Sequence, residues 1–193
     1  MNPPRSQSKS LYLVAFFAIL VAGCASLERP EVAPGGFELR GKLGVTEPQE
    51  SFSARFLWRQ DGSDFTIDLW GPFGQGRVRL VGNAREMTLL DGEGSVITQG
   101  AHEAVMRSNL GWSLPLGVLP EWVQGRPAPD LPVRQQSHDE AGRLTAFSQL
   151  DWQVDLARYR ETGSQQPVRL LPYRVTAQRG AYRVRLAISE WRI

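Results

Sequence analysis

From Phe37 to the end of this chain, large apolar side chains recur at every second position. Phe52, Ala54, Phe56 and Trp58 share one face of an extended segment, Ser53, Arg55 and Arg59 take the other, and Leu57 is the exception. A period of two is the side-chain period of a strand, and a helix would scatter such a stripe around its axis. After a turn at Asp61-Gly62-Ser63-Asp64, Phe65, Ile67 and Leu69 alternate with Thr66 and Asp68. Val78 and Leu80 alternate with Arg77 and Arg79, and Met87 and Leu89 lead to a turn at Asp91-Gly92-Glu93-Gly94. Trp152, Val154 and Leu156 alternate with Gln153 and Asp155, and Tyr182, Val184, Leu186 and Ile188 with Arg183, Arg185 and Ser189. Strands with one dry and one wet face, joined by short turns, form antiparallel sheets. The expected fold is mainly β, a curved sheet or barrel.

Two stretches depart from this period. His102 to Leu110 is built of good helix formers and ends at Gly111, which suits a helix C-cap. Leu116 to Gln124 places Val118, Leu119, Trp122 and Val123 at helical spacing before Gly125, with Pro115 ahead of it and Pro120 awkward within it. A stiff connector, Gly125 to Pro132, follows. Two short apolar helices in a sheet protein either close an opening of the curved sheet or cover a core, and both readings stand.

The N-terminus has a separate task. A basic stretch (Arg5, Lys9), a 12-residue apolar run from Leu11 to Ala22 and the sequence Val21-Ala22-Gly23-Cys24 form the pattern of a bacterial lipoprotein signal. A membrane-spanning helix needs about 20 residues, so the run reads as a signal segment, residues 1–23. Cys24 is the only cysteine, and in this pattern its thiol and new amine are lipidated. Residues 24–36, with two prolines and two glycines, read as the lipidated N-terminus and a flexible tether. Fully extended, the twelve residues after Cys24 reach roughly 40 Å. The folded domain is expected over residues 37–193.

Composition then removes several classes of function. Cutting before Cys24 discards two of the 22 Lys+Arg and none of the 20 Asp+Glu, so the mature chain is balanced. Such a chain lacks the basic excess of a nucleic-acid partner. His102 and His138 stand in unrelated contexts with no metal-ligand companion. Gly71-Pro72-Phe73-Gly74-Gln75-Gly76 lacks the lysine and Ser/Thr of a phosphate loop, and no nucleophile elbow is present. We expect no catalytic residues, no metal and no cofactor beyond the covalent lipid on Cys24.

Two apolar features remain. The loop Gly71–Gly76 carries one large apolar residue, Phe73, at its tip. Leaving that ring in water forgoes ~1.5–3 kcal/mol of burial, so it either folds back onto the sheet or waits for an apolar partner. The segment 112–125 concentrates Trp112, Leu114, Leu116, Leu119, Trp122 and Val123, suited to a core or to a pocket for hydrocarbon.

Taken in order, these features resemble the LolB family of outer-membrane lipoprotein receptors: the Cys24 signal, Phe37-Glu38-Leu39-Arg40-Gly41-Lys42-Leu43-Gly44, Ala54-Arg55-Phe56-Leu57-Trp58-Arg59-Gln60, Gly71-Pro72-Phe73-Gly74, Leu114-Pro115-Leu116, Trp122-Val123-x-Gly125, Trp152 and Trp191. The resemblance implies an incomplete antiparallel β-barrel whose hydrophobic cavity is covered by short α-helices. It implies a non-enzymatic, monomeric outer-membrane protein facing the periplasm, whose partners are a LolA-like periplasmic carrier, the acyl chains of lipoprotein cargo and outer-membrane phospholipid. By the same resemblance, the loop of Gly71, Pro72, Phe73 and Gly74 inserts into the membrane. Its tip carries leucine in the best-known family pattern and phenylalanine here. The cavity would be lined by Phe52, Phe56, Trp58, Ile67, Leu69, Leu114, Leu119 and Trp122. Ala25, where enterobacterial lipoproteins kept in the inner membrane carry aspartate, agrees with an outer-membrane destination. The rival expectations are a structural or interaction lipoprotein with a packed barrel and no lipid cargo, and an enzyme acting on lipids.

Overall fold

A computed structural model describes residues 31–163 and 168–193, so the signal, Cys24 and most of the tether lie outside the described residues. The chain lays down β1 (Phe37–Thr46), β2 (Ser51–Asp61), β3 (Asp64–Trp70), β4 (Val78–Gly82), β5 (Glu86–Leu90) and β6 (Val96–Ala101). Two helices follow, α1 (His102–Leu110) and α2 (Leu119–Val123). Then come β7 (Arg134–His138), β8 (Leu144–Gln149), β9 (Trp152–Thr162), β10 (Arg169–Arg179) and β11 (Tyr182–Arg192).

All eleven strands form one antiparallel sheet in the order β6-β5-β4-β3-β2-β1-β11-β10-β9-β8-β7. The first six strands step outward from the centre to one edge. The chain then crosses through α1 and α2 to the far edge and steps back until β11 pairs with β1. The edge strands β6 and β7 are not paired with each other, so the sheet curves without closing. Both edges are polar or exposed along their length, β7 entirely so, which discourages further strand addition.

The period of two builds the core. One row running Leu156, Val175, Leu186, Leu43, Ala54 crosses five strands through paired positions, and every member is buried. One residue along, the outer face carries Arg174, Ala187, Lys42, Arg55 and Trp70 in the corresponding row. Gly41 lies where the β1–β11 register slips past Ser189. A Cβ there would come within 2.2 Å of the Ala187 carbonyl oxygen, so only glycine permits this close crossing. Residues Val32–Ile193 form a compact unit carrying the whole sheet and its core, enough to fold without the segment ahead of it.

Buried polar groups on the outer face are matched. The Glu38 carboxylate accepts from Arg59 Nε at 2.9 Å and Arg40 Nη2 at 3.2 Å, with Arg192 at 3.6 Å. Burial pushes Glu38 up, but the hydrogen bonds and charges of Arg59 and Arg40 outweigh it and hold the carboxyl below its ordinary value. Asp68, likewise buried, accepts from Arg79 Nε at 2.8 Å.

The first helix occupies the expected span, capped by Gly111 at φ 76°. The second is shorter than its apolar spacing suggests, Leu119–Val123 instead of Leu116–Gln124. Pro120 has no N–H for a helix begun at Leu116, but it fits the first turn of one begun at Leu119.

Candidate functional site

The concave face of β1–β4 is roofed by α1 and the segment that follows it. Phe56, Trp58, Ile67 and Leu69 rise from the sheet, and Met106, Trp112, Leu114, Leu116 and Leu119 come down from above. With Leu43, Leu80 and Leu186 they enclose an apolar cavity of about 30 Å³. Every lining residue is apolar, so nothing in the cavity calls for a polar guest. A cavity that holds a single benzene is about 150 Å³, so the hollow as it stands has no room for an acyl chain. In this closed form the roof side chains themselves occupy the hollow.

The two parts of the roof are held differently. Gln149, 2% exposed at the end of β8, accepts from Trp122 Nε1 and from the Ala128 N–H, both at 2.9 Å. Its amide donates to the carbonyls of Ala128 at 2.9 Å and Leu131 at 3.1 Å. One side chain thus satisfies four groups and fastens α2 and its connector to the sheet. The presenting turn, Leu150-Asp151, has both residues at positive φ, the geometry of a two-residue hairpin with matched twist. By contrast α1 buries only Val105 and Met106, and among the described residues its tie to the sheet is a single hydrogen bond at its start, His102 Nε2 to the Asn83 carbonyl at 2.8 Å. The segment after it, hinged at Gly111, is held mainly by apolar contact.

Six of the eight cavity candidates named from the sequence, Phe56, Trp58, Ile67, Leu69, Leu114 and Leu119, meet around this hollow. Two stand elsewhere. Trp122 is fully buried on the opposite half, edge-on to Phe147 at 6.1 Å and tilted to Trp152 at 6.5 Å, because its N–H is drawn to Gln149. Phe52 lies at the start of β2, where the sheet runs out, and is 47% exposed while stacked on Trp112 at 6.5 Å. Leu43, Leu80, Met106, Trp112, Leu116 and Leu186 line the hollow without having been singled out for it. Trp112 and Leu116 belonged to an apolar concentration already evident in the sequence. Met106 required knowing which side of α1 faces the sheet.

The loop between β3 and β4 is held by its own backbone. The Gly71 carbonyl accepts from Gly74 N–H at 2.9 Å, and Gly71 N–H donates to Gln75 O at 2.8 Å. The Gln75 side chain accepts from Phe73 N–H at 3.1 Å. Pro72 suits the second position of such a turn, and Gly74 takes φ 87°, which side chains resist. The result is a hydrogen-bonded bracket with Phe73 at its tip, 93% exposed. Of the two readings open from the sequence, the ring does not fold back. At the base of the bracket the Arg77 guanidinium stacks on Trp70 at 5.5 Å.

Residues 35–191 match the protein family described as outer membrane lipoprotein LolB. The chain belongs to the LolB family. It is 34% identical to the outer-membrane lipoprotein LolB of Stutzerimonas stutzeri, with 93% of each chain covered. It is 32% identical to that of Halorhodospira halophila, with 90% of each covered. In fold it is similar to a LolA superfamily protein from Nitrosomonas europaea, at a TM-score of 0.53 and 8% identity, covering 87% of this chain and 89% of that one. At so low an identity the likeness speaks for the architecture alone. In this LolB family member the exposed Phe73 bracket is mounted on an open sheet whose apolar hollow lies under the helices.

Proposed function

We propose that this protein is a lipid-anchored lipoprotein of the outer membrane, facing the periplasm, which accepts lipoproteins from a LolA-like carrier and inserts them into that membrane. Its hollow shelters the acyl chains of the cargo, and no bond is made or broken in the transfer. The observation that carries this reading is an all-apolar hollow whose roof segment from Trp112 to Leu116 is held mainly by apolar contact, while α2 is latched through Gln149. Each methylene exposed to water costs about 0.8 kcal/mol, so one long chain costs on the order of 10 kcal/mol and needs continuous shelter. Met106, Trp112, Leu114 and Leu116 would swing aside as chains enter, exchanging side-chain packing for acyl packing, while α2 stays latched to Gln149. Tighter holding than the carrier's gives the exchange its direction, and looser holding than a bilayer's lets it finish. Phe73 then enters the leaflet and starts the release. Among the described residues no helix is long and apolar enough to cross a membrane, and the lipid on Cys24 supplies the attachment.

The test is transfer from a loaded carrier. The domain from Val32 onward, mixed with carrier holding a labelled lipoprotein, should take the label into a complex of its own without nucleotide. Label that stays with the carrier at any excess of this domain would refute the proposal.

A further inference from the structure

The acyl chains of a lipoprotein do not end in hydrocarbon. They join a glyceryl-cysteine head through two esters and an amide, whose carbonyl oxygens lose about 1–3 kcal/mol each if buried without donors. The hollow has no donor to give them. Next to it lies a second pocket of about 310 Å³, and Leu114 and Leu116 line both spaces. That volume falls at the lower end of pockets that hold small ligands. Arg85, from the turn between β4 and β5, and Arg179, from the end of β10, line it from the two halves of the sheet. Among the described residues neither guanidinium has a carboxylate within ion-pairing distance, although most arginines around Glu38 and Asp68 do. Arg179 is steadied by Trp152, its guanidinium 4.8 Å from the ring centroid. The pocket's other charged group, Glu103, is engaged by Arg107 and disfavours an anion there.

We propose that this second pocket receives the neutral, carbonyl-rich head of the cargo's lipidated cysteine, with Arg85 and Arg179 donating to its ester and amide oxygens. The assignment rests on the acyl-chain reading of the hollow. Guanidinium forks are suited to such acceptors, and hydrogen bonds from a charged donor are the strong ones. Head and chains then occupy adjoining spaces of opposite polarity, which lets the protein distinguish a lipoprotein from a free hydrocarbon.

The test uses the domain from Val32 onward and three probes: an apolar fluorescent dye, a short synthetic triacylated lipopeptide and phosphatidylglycerol. In the double variant Arg85→Gln, Arg179→Lys the lysine keeps a cation over Trp152 but loses the fork. Dye binding should stay within about twofold of the unsubstituted domain, since the hollow is untouched. Lipopeptide affinity should fall about tenfold or more, and phosphatidylglycerol, which offers two of the same ester carbonyls but no amide, should fall by less. Unchanged lipopeptide affinity overturns the assignment, as does a fall for phosphatidylglycerol as large as or larger than that for the lipopeptide, since only its phosphate could make up for the missing amide. An unsubstituted domain that binds neither dye nor lipopeptide overturns the acyl-chain reading and the head site with it.

Discussion

Phe73 separates folding from membrane contact more cleanly than any other residue in the domain. It is 93% exposed, and its bracket is tied by backbone groups and Gln75, so its ring adds nothing to the fold. Phe73→Ala should therefore leave stability within about 0.5 kcal/mol, a shift in Tm of no more than about 2 °C for a domain of this size. Entering a bilayer, the same ring gains ~1.5–3 kcal/mol, which is roughly a 10- to 150-fold change in partitioning. The domain from Val32 onward carries no lipid of its own, so its sedimentation with phospholipid vesicles reads this contribution directly. We expect Phe73→Ala to fall by that factor. Phe73→Glu should fall further and accept cargo from the carrier without delivering it to vesicles. Partitioning by Phe73→Ala equal to that of the unsubstituted domain would refute membrane contact at the tip, and a Tm loss of 5 °C or more would refute its independence from the fold.

Gln149→Leu should cost about 3 kcal/mol or more in denaturant unfolding, because it orphans the Trp122 and Ala128 N–H groups and two carbonyls in a buried site; a loss under about 1 kcal/mol would mean that α2 is held some other way. Acid should weaken the fold through Glu38. Its folded-state pKa is lowered, so its stabilisation is present above the ordinary value of 4.5 and is lost as pH falls through the lower folded value; Glu38→Gln should flatten the acid limb of a stability-against-pH curve. Alkali should act through Tyr159, pushed up to about 12 mainly by burial. Its contribution is full below about pH 10 and fades as pH rises toward 12, and Tyr159→Phe should reduce that slope, leaving the part due to Tyr182, also raised by burial.

The sequence displayed most clearly the strands that bury one face. Phe56 and Trp58, or Val184 and Leu186, alternate with charged neighbours, and solvent is what imposes that alternation. The strands β6 and β7 escape the same logic because an edge strand has little to bury, and Arg134–His138 is exposed throughout. Pro172 obscures β10, yet it is harmless there, since β10 begins to pair with β11 only at Arg174. Membership of the hollow was legible for Phe56, Trp58, Ile67 and Leu69, which follow strand period, and only partly legible in the roof, where Leu114 and Leu119 were named but Met106 was missed and Trp122 misplaced. Trp122 and Leu119 lie three residues apart on one short helix, and a hydrogen bond to a glutamine 27 residues downstream sends the tryptophan to the other half. The prominence of Phe73 stayed open between two readings on the residues alone and was favoured only by the family resemblance, because whether a turn projects or folds back is decided by backbone hydrogen bonds that leave no period in the sequence.

The pairing of β1 with β2 also sets a length. Phe37, where the domain receives its tether, lies opposite Gln60 at the end of β2, whereas Trp70, just before the Phe73 bracket, lies opposite Arg55 toward its beginning. Point of attachment and tip are thus at opposite ends of the strands. The five steps from Phe37 to Lys42, which lies level with Arg55 and Trp70, alone cover roughly 17 Å. A chain anchored at Cys24 can bring Phe73 to the leaflet that holds its own lipid only if the tether spans at least that distance, and its roughly 40 Å of reach does so. Cut to four residues, about 14 Å of reach, the tether would keep the protein on the membrane with its tip held away from it.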